Sequence, residues 1–259
     1  MKRSLVLKFG GASVAQPESF AKVAAIIAEK TKIYDNLIVV VSAMGNTTNE
    51  LLALAAKVHK EPPKRELDML LTVGERISIS LLAMSLNLLS VEAVSFTGSQ
   101  SGIITTEDHA EARIITVRPK RIIKELEMKK VCVVAGFQGV SDLGEITTLG
   151  RGGSDTTAVA LGVALNAEHV EFYKDVDGIY TADPKTHLGA IRFENLGYDD
   201  ALTIVNGGAK VLHPRAVDLA KKNGIPLLVK SFVDKLSSGS TCIGCLQEKK
   251  PARPLYELD

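Results

Sequence analysis

A lysine and two glycines stand together near the start of the chain, in the run Lys8-Phe9-Gly10-Gly11. Residues 5–9 are otherwise apolar and strand-like, and burying an unpaired ammonium is very costly, so Lys8 needs a partner or a path to water. Two consecutive glycines at the end of a strand let backbone N–H groups approach an anion without obstruction by a Cβ atom. The run therefore indicates either a phosphate-binding lysine beside a glycine turn or an edge-strand lysine whose ammonium reaches solvent.

A second glycine cluster, Gly150-Arg151-Gly152-Gly153-Ser154-Asp155, precedes an apolar run typical of a helix. Ser154 or Asp155 is predicted to cap that helix at its N-terminus, where free N–H groups and the helix dipole favour an anion. The Arg151 guanidinium presents a planar set of donors that matches a carboxylate or a phosphate. Because packing gives little reason for an arginine between glycines, the cluster favours a ligand site over a plain turn.

A third cluster, residues 173–185, combines two tyrosines, an Asp177-Gly178 turn and an Asp183-Pro184 stop. It follows a predicted strand, and open α/β sheets bind ligands at the carboxyl ends of their strands. A tight hairpin with surface acids would explain the same residues. Spacing alone leaves both interpretations open.

Several familiar site patterns are absent from the sequence. It contains no G-x-x-x-x-G-K-[ST] phosphate loop, no G-x-G-x-x-G dinucleotide motif, and no H-R-D or D-F-G set of the protein kinases. Cys132, Cys242 and Cys245 cannot all pair, and one Cys-x-x-Cys supplies two of the four ligands of a zinc site. Metal or redox chemistry at these cysteines is therefore disfavoured.

The elements that must position these clusters are strands and helices in alternation. Short β-branched runs, typical of strands, alternate along the chain with segments of helical periodicity. Strands are predicted at residues 5–9, 37–41, 91–96, 114–117, 131–135, 169–173 and 226–229, with a hairpin arm at 143–149. Helices are predicted from Pro17 onward and at 49–59, 66–87, 119–128, 155–165 and 214–223. Strands that are apolar throughout indicate a sheet covered by helices on both faces, and the alternation predicts an open, mainly parallel α/β sandwich.

The charge balance excludes some partners. The 259 residues carry 31 Lys and Arg against 30 Asp and Glu, a formal net charge of +1. This gives no electrostatic pull on nucleic acid or anionic lipid, so neither is expected as a partner. The N-terminus lacks the apolar stretch of a signal peptide, and the longest apolar runs fall far below the ~20 residues that span a bilayer. We therefore expect a cytoplasmic protein.

Six motifs, taken together and in order, resemble the amino acid kinase family, and within it the aspartate kinases. They are Lys8-Phe9-Gly10-Gly11-Ala12-Ser13-Val14, Val41-Ser42-Ala43-Met44-Gly45-Asn46-Thr47-Thr48-Asn49, Gly74-Glu75-Arg76, Leu149-Gly150-Arg151-Gly152-Gly153-Ser154-Asp155, Asp175-Val176-Asp177-Gly178-Ile179-Tyr180-Thr181-Ala182-Asp183-Pro184 and Gly208-Ala209-Lys210-Val211-Leu212-His213-Pro214. The resemblance implies a three-layer αβα sandwich with a mainly parallel central sheet. It implies a catalytic domain over residues 1–232, with an N-terminal substrate lobe and a C-terminal nucleotide lobe.

The resemblance also implies a reaction, in which the γ-phosphate of ATP passes to the β-carboxylate of L-aspartate with Mg²⁺, giving 4-phospho-L-aspartate. This would be the first step of lysine, threonine and methionine biosynthesis, carried out by a homodimer. Members of the family usually continue into a pair of ACT regulatory domains, whereas residues 233–259 resemble a tail. The expectation is a catalytic chain without built-in amino-acid feedback.

The family's functional positions fall on particular residues of this sequence. Catalytic roles are implied for Lys8, Asp155 and Lys210. Substrate-binding roles are implied for Ser42, Thr48, Glu75, Arg151 and Ser154, with Glu75 on the α-ammonium and Arg151 on a carboxylate. Nucleotide-binding roles are implied for Lys8, Gly10, Gly11, Lys174, Asp175, Tyr180, Lys185 and Lys210, and no residue is implied as a dedicated metal ligand. Lys174 stands where the family often has Thr, and Lys185 where Arg is common, so the local nucleotide contacts are open.

Two other functions are compatible with the same motifs. One is a family member that phosphorylates a different carboxylate, although Glu75 together with Arg151 favours a free α-amino acid. The other is a regulator that binds a nucleotide or an amino acid without turnover, which the intact set of Lys8, Arg151, Asp155 and Lys210 disfavours. A carboxylate acceptor is already ionised near neutral pH, so the reaction needs no general base.

Overall fold

A computed structural model describes residues 2–184, 186–233, 239–245 and 251–259. Its strands are β1 (Ser4–Phe9), β2 (Asn36–Val41), β3 (Ala93–Phe96), β4 (Ile103–Thr105), β5 (Ile114–Val117), β6 (Val131–Ala135), β7 (Gln138–Ser141), β8 (Ile146–Thr148), β9 (Val170–Lys174), β10 (Asn195–Leu196), β11 (Leu227–Ser231) and β12 (Thr241–Ile243). Its α-helices are α1 (Ser19–Thr31), α2 (Thr47–Val58), α3 (Lys64–Leu71), α4 (Val73–Leu88), α5 (Lys120–Glu127), α6 (Gly153–Ala164), α7 (Tyr198–Asn206) and α8 (Pro214–Asn223). A short 3₁₀ turn, Gly11–Val14, follows β1.

The central sheet has the strand order β10-β12-β11-β9-β1-β2-β6-β3. Its pairs are parallel except for β11 with β12, which is antiparallel. The strands β1, β2, β6, β9 and β11 therefore end at the same edge of the sheet, which is where doubly wound folds bind ligands. The predicted sandwich with a mainly parallel central sheet is confirmed.

Apolar side chains alternate between the two faces of the sheet. Leu5, Leu7 and Phe9 of β1 pack with α1 and α4, whereas Val6 packs on the opposite face with α6, α7 and α8. Strand side chains alternate with a period of two, so Lys8 lies on the same face as Val6, toward α6. The strand period thus sets which helix the buried lysine meets.

A second, smaller sheet has the order β5-β4-β7-β8 and packs beside the first. The sequence predicts β5 and the arm at β8, but it gives no signal for β4 or β7. Both are short, and β7 has the sequence Gln138-Gly-Val-Ser141, which is too polar to indicate a buried strand. This sheet supplies the strand that leads into the second glycine cluster.

The single helix predicted at 66–87 is two helices, because Thr72 separates α3 from α4. The Thr72 carbonyl accepts a hydrogen bond from Gln138 Nε2 at 3.2 Å. By length and composition the stretch Lys64–Leu88 could cross a membrane, but half of its most apolar window is buried inside the fold, as in a core helix. The break places Glu75 in the first turn of α4.

Beyond residue 232 the described segments pack on the body of the fold. Strand β12 pairs with both β10 and β11 at the end of the central sheet. Tyr256 is buried, and the N–H of Glu257 donates to the Ile114 carbonyl at 3.2 Å. These residues belong to the same hydrophobic and hydrogen-bonded body as the sheet.

Candidate active site

Lys8 is paired with Asp155. The Lys8 Nζ atom lies 2.7 Å from Asp155 Oδ1, and both side chains are almost fully buried. Strand β1 lies in the middle of the sheet, between β2 and β9, so Lys8 is not an edge-strand lysine. The partner that its burial demands comes from the first turn of α6.

Lys174 joins the same carboxylate from the next strand. Its Nζ atom lies 3.6 Å from Asp155 Oδ2. Burial alone would raise the pKa of Asp155, but the charges of Lys8 and Lys174 outweigh it and hold that pKa below its usual value. Burial lowers the pKa of Lys174 to about 8, against the opposing attraction of Asp155. The result is a cluster of two cations and one anion at the carboxyl ends of β1 and β9.

A cavity of about 920 Å³, here called the arginine cavity, opens on one side of this cluster. Its wall includes all five predicted substrate-binding residues and two of the predicted catalytic ones. They are Ser42, Thr48, Glu75, Arg151 and Ser154, with Lys8 and Asp155. Gly11 also lines it, and a Cβ atom at Gly11 would come within 2.8 Å of the Ala43 carbonyl, so the turn after β1 and the loop after β2 approach closely there. The residues to which the family resemblance assigns substrate binding thus line one concave site.

Glu75 is buried in the wall of the arginine cavity, with 3% of its surface exposed. Its Oε1 atom accepts the Ala43 N–H at 3.0 Å, while Oε2 has no hydrogen-bond partner within the described part of the chain. Gly74 permits this contact, because a Cβ atom there would lie 2.8 Å from the Ala43 Cβ. Burial raises the pKa of Glu75 to about 7, opposed by the Ala43 N–H and the Lys8 charge. An unpaired buried carboxylate oxygen is a site for a cation or a donor.

The glycine cluster before α6 presents an exposed Arg151 at the mouth of the cavity. The predicted cap at Ser154 or Asp155 is wrong: the N-cap is Gly152, in the left-handed conformation at φ 71°. A Cβ atom at Gly152 would come within 2.0 Å of the His213 ring, so a side chain has no room there. Moving the cap to Gly152 frees the carboxylate of Asp155 to meet the lysines.

A second cavity, of about 880 Å³, lies on the other side of Lys174 and is here called the tyrosine cavity. It is lined by four of the predicted nucleotide-binding residues, Lys174, Asp175, Tyr180 and Lys210. The Tyr180 hydroxyl donates to Asp177 Oδ1 at 2.6 Å, which fixes the ring on the loop after β9. Lys210 is exposed in this cavity and is not among the residues that line the arginine cavity. Lys185, the remaining predicted nucleotide residue, lies outside the described residues.

Gly10 stands beside the Lys8 ammonium, 3.6 Å from the position that a Cβ atom on Gly10 would take. It therefore lies next to the charged cluster, as the glycine-turn interpretation of the sequence requires. The structure thus brings Lys8, Gly10, Gly11 and Asp155 together, with Lys174 as the residue that connects them to the tyrosine cavity.

Three further residues support the site and were missed by sequence reasoning. His213 caps α8 and lines the arginine cavity, and its backbone N–H contributes to holding down the pKa of Asp155. Asp68 is fully buried and binds the Thr148 hydroxyl at 2.6 Å and His109 Nδ1 at 2.8 Å. Arg215 lines the cavity and donates to two backbone carbonyls, those of Leu149 and Ala112. Two of these residues carried a signal in the sequence. Asp68 is an acid among apolar residues of α3, and His213 precedes a proline at the start of a helix.

Cys242 and Cys245 form a disulfide across the turn after β12, with Cα atoms 6.0 Å apart. Cys132 is buried, and burial raises the pKa of its thiol to about 12. Among the residues that the structure describes, no group of three or more His, Cys, Asp and Glu side chains is arranged to hold a metal ion.

Comparison with known proteins places this site in a family context. The sequence model of the amino acid kinase family matches residues 3–231. An aspartokinase of Bacillus sp. strain MGA3 is 51% identical over 231 residues, which are 89% of this chain and 56% of that protein. An aspartokinase of Corynebacterium glutamicum is 51% identical over 228 residues, covering 88% and 54% of the two chains. The chain spans about half the length of the curated relatives it matches.

Solved structures agree with the sequence comparison. The crystal structure of aspartate kinase from Synechocystis is similar with a TM-score of 0.84 and 44% identity, over 98% of this chain and 42% of that one. The structure of E. coli aspartokinase III in complex with aspartate and ADP is similar with a TM-score of 0.81 and 27% identity, over 93% and 64% of the two chains.

Proposed function

Because the chain belongs to the amino acid kinase family, we propose that it carries the catalytic unit of an aspartate kinase. This unit transfers the γ-phosphoryl group of ATP to the β-carboxylate of L-aspartate and yields 4-phospho-L-aspartate and ADP. The observation that carries the proposal is the buried cluster of Lys8, Asp155 and Lys174, which lies between two cavities of different chemistry. The names of the relatives support aspartate as the acceptor.

The arginine cavity offers complementary groups for an amino acid. The unpaired Oε2 of Glu75 can accept from an α-ammonium, and Arg151 can bind an α-carboxylate with two parallel hydrogen bonds. The hydroxyls of Ser42, Thr48 and Ser154 supply further donors around the acid. With its α-ammonium on Glu75 and its α-carboxylate on Arg151, the substrate would direct its side-chain carboxylate toward Lys8.

Lys8 would stabilise the charge that develops on the transferring phosphoryl group. Phosphoryl transfer needs in-line positioning and electrostatic stabilisation more than covalent help from the protein. Asp155 fixes the Nζ atom of Lys8 and supplies the opposite charge that a buried ammonium needs. The acceptor carboxylate is ionised near neutral pH, so no side chain has to remove a proton.

The tyrosine cavity would bind ATP, with Lys174 and Lys210 on the phosphates and Tyr180 and Asp175 on the wall. Lys174 contacts Asp155 and lines this cavity, so the phosphates would meet the charged cluster where the two cavities adjoin. Lys8 and the turn at Gly10 and Gly11 would then receive the γ-phosphoryl group.

Mg²⁺ fits this donor set as a companion of the nucleotide. It is a hard cation that proteins bind through one or two carboxylates together with substrate phosphates, rather than in a closed cage. Asp155 is a carboxylate of this kind, and it lines the arginine cavity with its oxygens beside Lys8 and Lys174. When bound, the ion would neutralise charge on the phosphates; Asp155 would hold it or orient the lysines.

The proposal extends to the setting of the enzyme. The catalytic unit would comprise residues 1–232, with a substrate lobe followed by a nucleotide lobe, and β12 and the segment that carries Glu257 would pack on it as part of the same body. It would act in the cytoplasm, as a homodimer, in the pathway to lysine, threonine and methionine.

A substrate panel tests the proposal. Purified protein with ATP and Mg²⁺ is incubated with L-aspartate, L-glutamate, N-acetylglutamate or carbamate, and acyl phosphate is trapped as the hydroxamate. We expect turnover with L-aspartate and little with the others. Turnover of another acid alone would show a kinase for a different carboxylate. ATP binding without turnover of any acid would show a regulator instead.

Substitution of Lys8 tests the mechanism. Lys8→Ala removes a charge that acts chiefly in the transition state, so kcat should fall by about 100-fold or more while ATP affinity changes little. Lys210→Ala is the comparison, because Lys210 is exposed in the tyrosine cavity and its loss should weaken ATP binding more. A Lys8→Ala protein that keeps near-normal kcat would remove Lys8 from the mechanism.

A further inference from the structure

Glu257 lies outside the stretch that the family model matches, yet its side chain is almost fully buried against the site. Its two carboxylate oxygens accept from Arg215, with Nε–Oε1 at 2.7 Å and a terminal nitrogen to Oε2 at 2.9 Å. Oε2 also accepts the Ile114 N–H at 2.7 Å. This is a bidentate, charge-assisted pair in a nearly dry setting, which fixes geometry strongly.

Arg215 uses its remaining donors on backbone carbonyls. One terminal nitrogen donates to the Leu149 carbonyl, and the other donates to the Ala112 carbonyl at 3.0 Å. Leu149 directly precedes Gly150-Arg151-Gly152, and both glycines have φ 71°. The guanidinium of Arg215 therefore holds the residue at which the Arg151 loop begins.

The arginine cavity is lined, within the described residues, by three arginines: Arg113, Arg151 and Arg215. Glu257 binds Arg215 and also lies 3.5 Å from Arg113, so it engages two of the three. Arg151 is exposed and is not engaged by Glu257 in this way. Glu257 therefore leaves the Arg151 guanidinium available in the cavity to bind a substrate carboxylate.

We propose that Glu257 is a positioning residue for substrate binding, which acts through Arg215 on the loop that carries Arg151. This inference rests on the proposed function, since it assigns Arg151 to the amino-acid substrate. Arg151 would hold that substrate alike in the ground state and in the transition state. Loss of its positioning therefore raises KM for aspartate and leaves kcat almost unchanged.

The test compares Glu257→Gln with the wild-type chain. We expect KM for aspartate to rise about tenfold, with kcat and KM for ATP each within about twofold. Hydrogen exchange of the amides at residues 149–153, measured without substrate, should become faster in the variant. Asp259→Asn is the matched control, because Asp259 lies in the same segment and its contacts are with Tyr256 and Arg253; it should leave all four values unchanged.

Three outcomes would overturn the inference. The first is an unchanged KM for aspartate in Glu257→Gln. The second is the same rise in KM in Asp259→Asn, which would assign the effect to packing of the C-terminal segment as a whole. The third is a joint change for the worse in kcat and both KM values, as for a general loss of structure. Should Glu257→Gln fail to fold, Arg215→Lys keeps the charge without the fork and should give the same rise in KM for aspartate. Wild-type protein inactive on aspartate would refute the proposed function instead, and the exchange comparison would still decide the role of Glu257.

Discussion

Glu75 has a pKa near the pH at which the proposed enzyme would work, because its carboxylate is buried. It has to be ionised to bind an α-ammonium. In the free protein its pKa is raised to about 7 by burial, so protonation competes with the substrate at and below that pH. We expect kcat/KM for aspartate to fall about tenfold for each pH unit below about 7, since this ratio reports the free enzyme.

Glu75→Gln separates this effect from other titrations. The variant should bind aspartate weakly at all pH values and should lose the acidic limb of the kcat/KM profile. The profile of kcat/KM for ATP at saturating aspartate serves as the control, and it should not show the limb, because a bound ammonium keeps Glu75 ionised. An acidic limb that persists in Glu75→Gln would assign the titration to another group.

Several site residues could be predicted at this scale because their types are unusual where they stand. A lysine in an apolar strand and an arginine between glycines are poorly explained by packing, and both line the arginine cavity. Asp68 and Arg215 escaped prediction because their partners lie far away in sequence. Asp68 accepts from the backbone and the hydroxyl of Thr148, and Arg215 donates to the Ala112 carbonyl. The residues around Leu149 cannot show that its carbonyl accepts from Arg215 of α8, which is distant in sequence.

At the scale of elements, the junction between α6 and α8 fixes the glycine loop. Gly152 caps α6 at φ 71° against the His213 ring, which itself caps α8. Gly152→Ala would add both backbone strain and a clash within 2.0 Å of that ring. We expect a loss of about 2–4 kcal/mol in the free energy of unfolding and a raised KM for aspartate, measured by urea denaturation and steady-state kinetics.

Gly144→Ala is the matched control for this junction. Gly144 has φ 85°, but nothing lies within 4 Å of the position of its added Cβ atom. This variant should therefore lose about 1 kcal/mol from strain alone and keep its KM for aspartate. Equal losses in the two variants would show that the contact with His213 contributes nothing.

The helices and strands of the central sandwich could be predicted, whereas their interruptions could not. Thr72 is neither Gly nor Pro, so no local signal marks the break between α3 and α4. The hydrogen bond that its carbonyl accepts there comes from Gln138, 66 residues further along the chain. Helix α7 and strands β4, β7, β10 and β12 were also missed. The strands among them are two to four residues long, and such runs carry too few positions to show a period.

Across the whole molecule, charge is buried on both faces of the central sheet, and the two clusters differ in purpose. On the face toward α6, Asp155 joins Lys8 and Lys174 at the cavities. On the opposite face, Glu171 of β9 binds Lys30 of α1 at 2.8 Å and Lys230 of β11 at 2.7 Å. The second cluster connects a helix and two strands and lines neither cavity, so we expect it to contribute to stability.

Glu171→Gln tests this division. Burial would raise the pKa of Glu171, but His169 and the two lysines outweigh it and hold that pKa below its ordinary value. The ionised acid thus adds stability above its unfolded pKa of about 4.3, and that stability is lost as the pH falls further. At pH 7 the variant should lose about 2–3 kcal/mol in the free energy of unfolding, because two partly buried ammonium groups lose their partner.

The loss should shrink as the pH falls below about 4.3, while kcat and both KM values at pH 7 stay as in the wild type. Glu168→Gln is the control, since Glu168 pairs with Arg3 at the surface and its loss should change stability little. If the difference in the free energy of unfolding between Glu171→Gln and wild type is constant with pH, the buried acid contributes through its shape and not through its charge. A fall in kcat would mean that the two faces of the sheet are coupled and that the cluster behind β9 also positions Lys174.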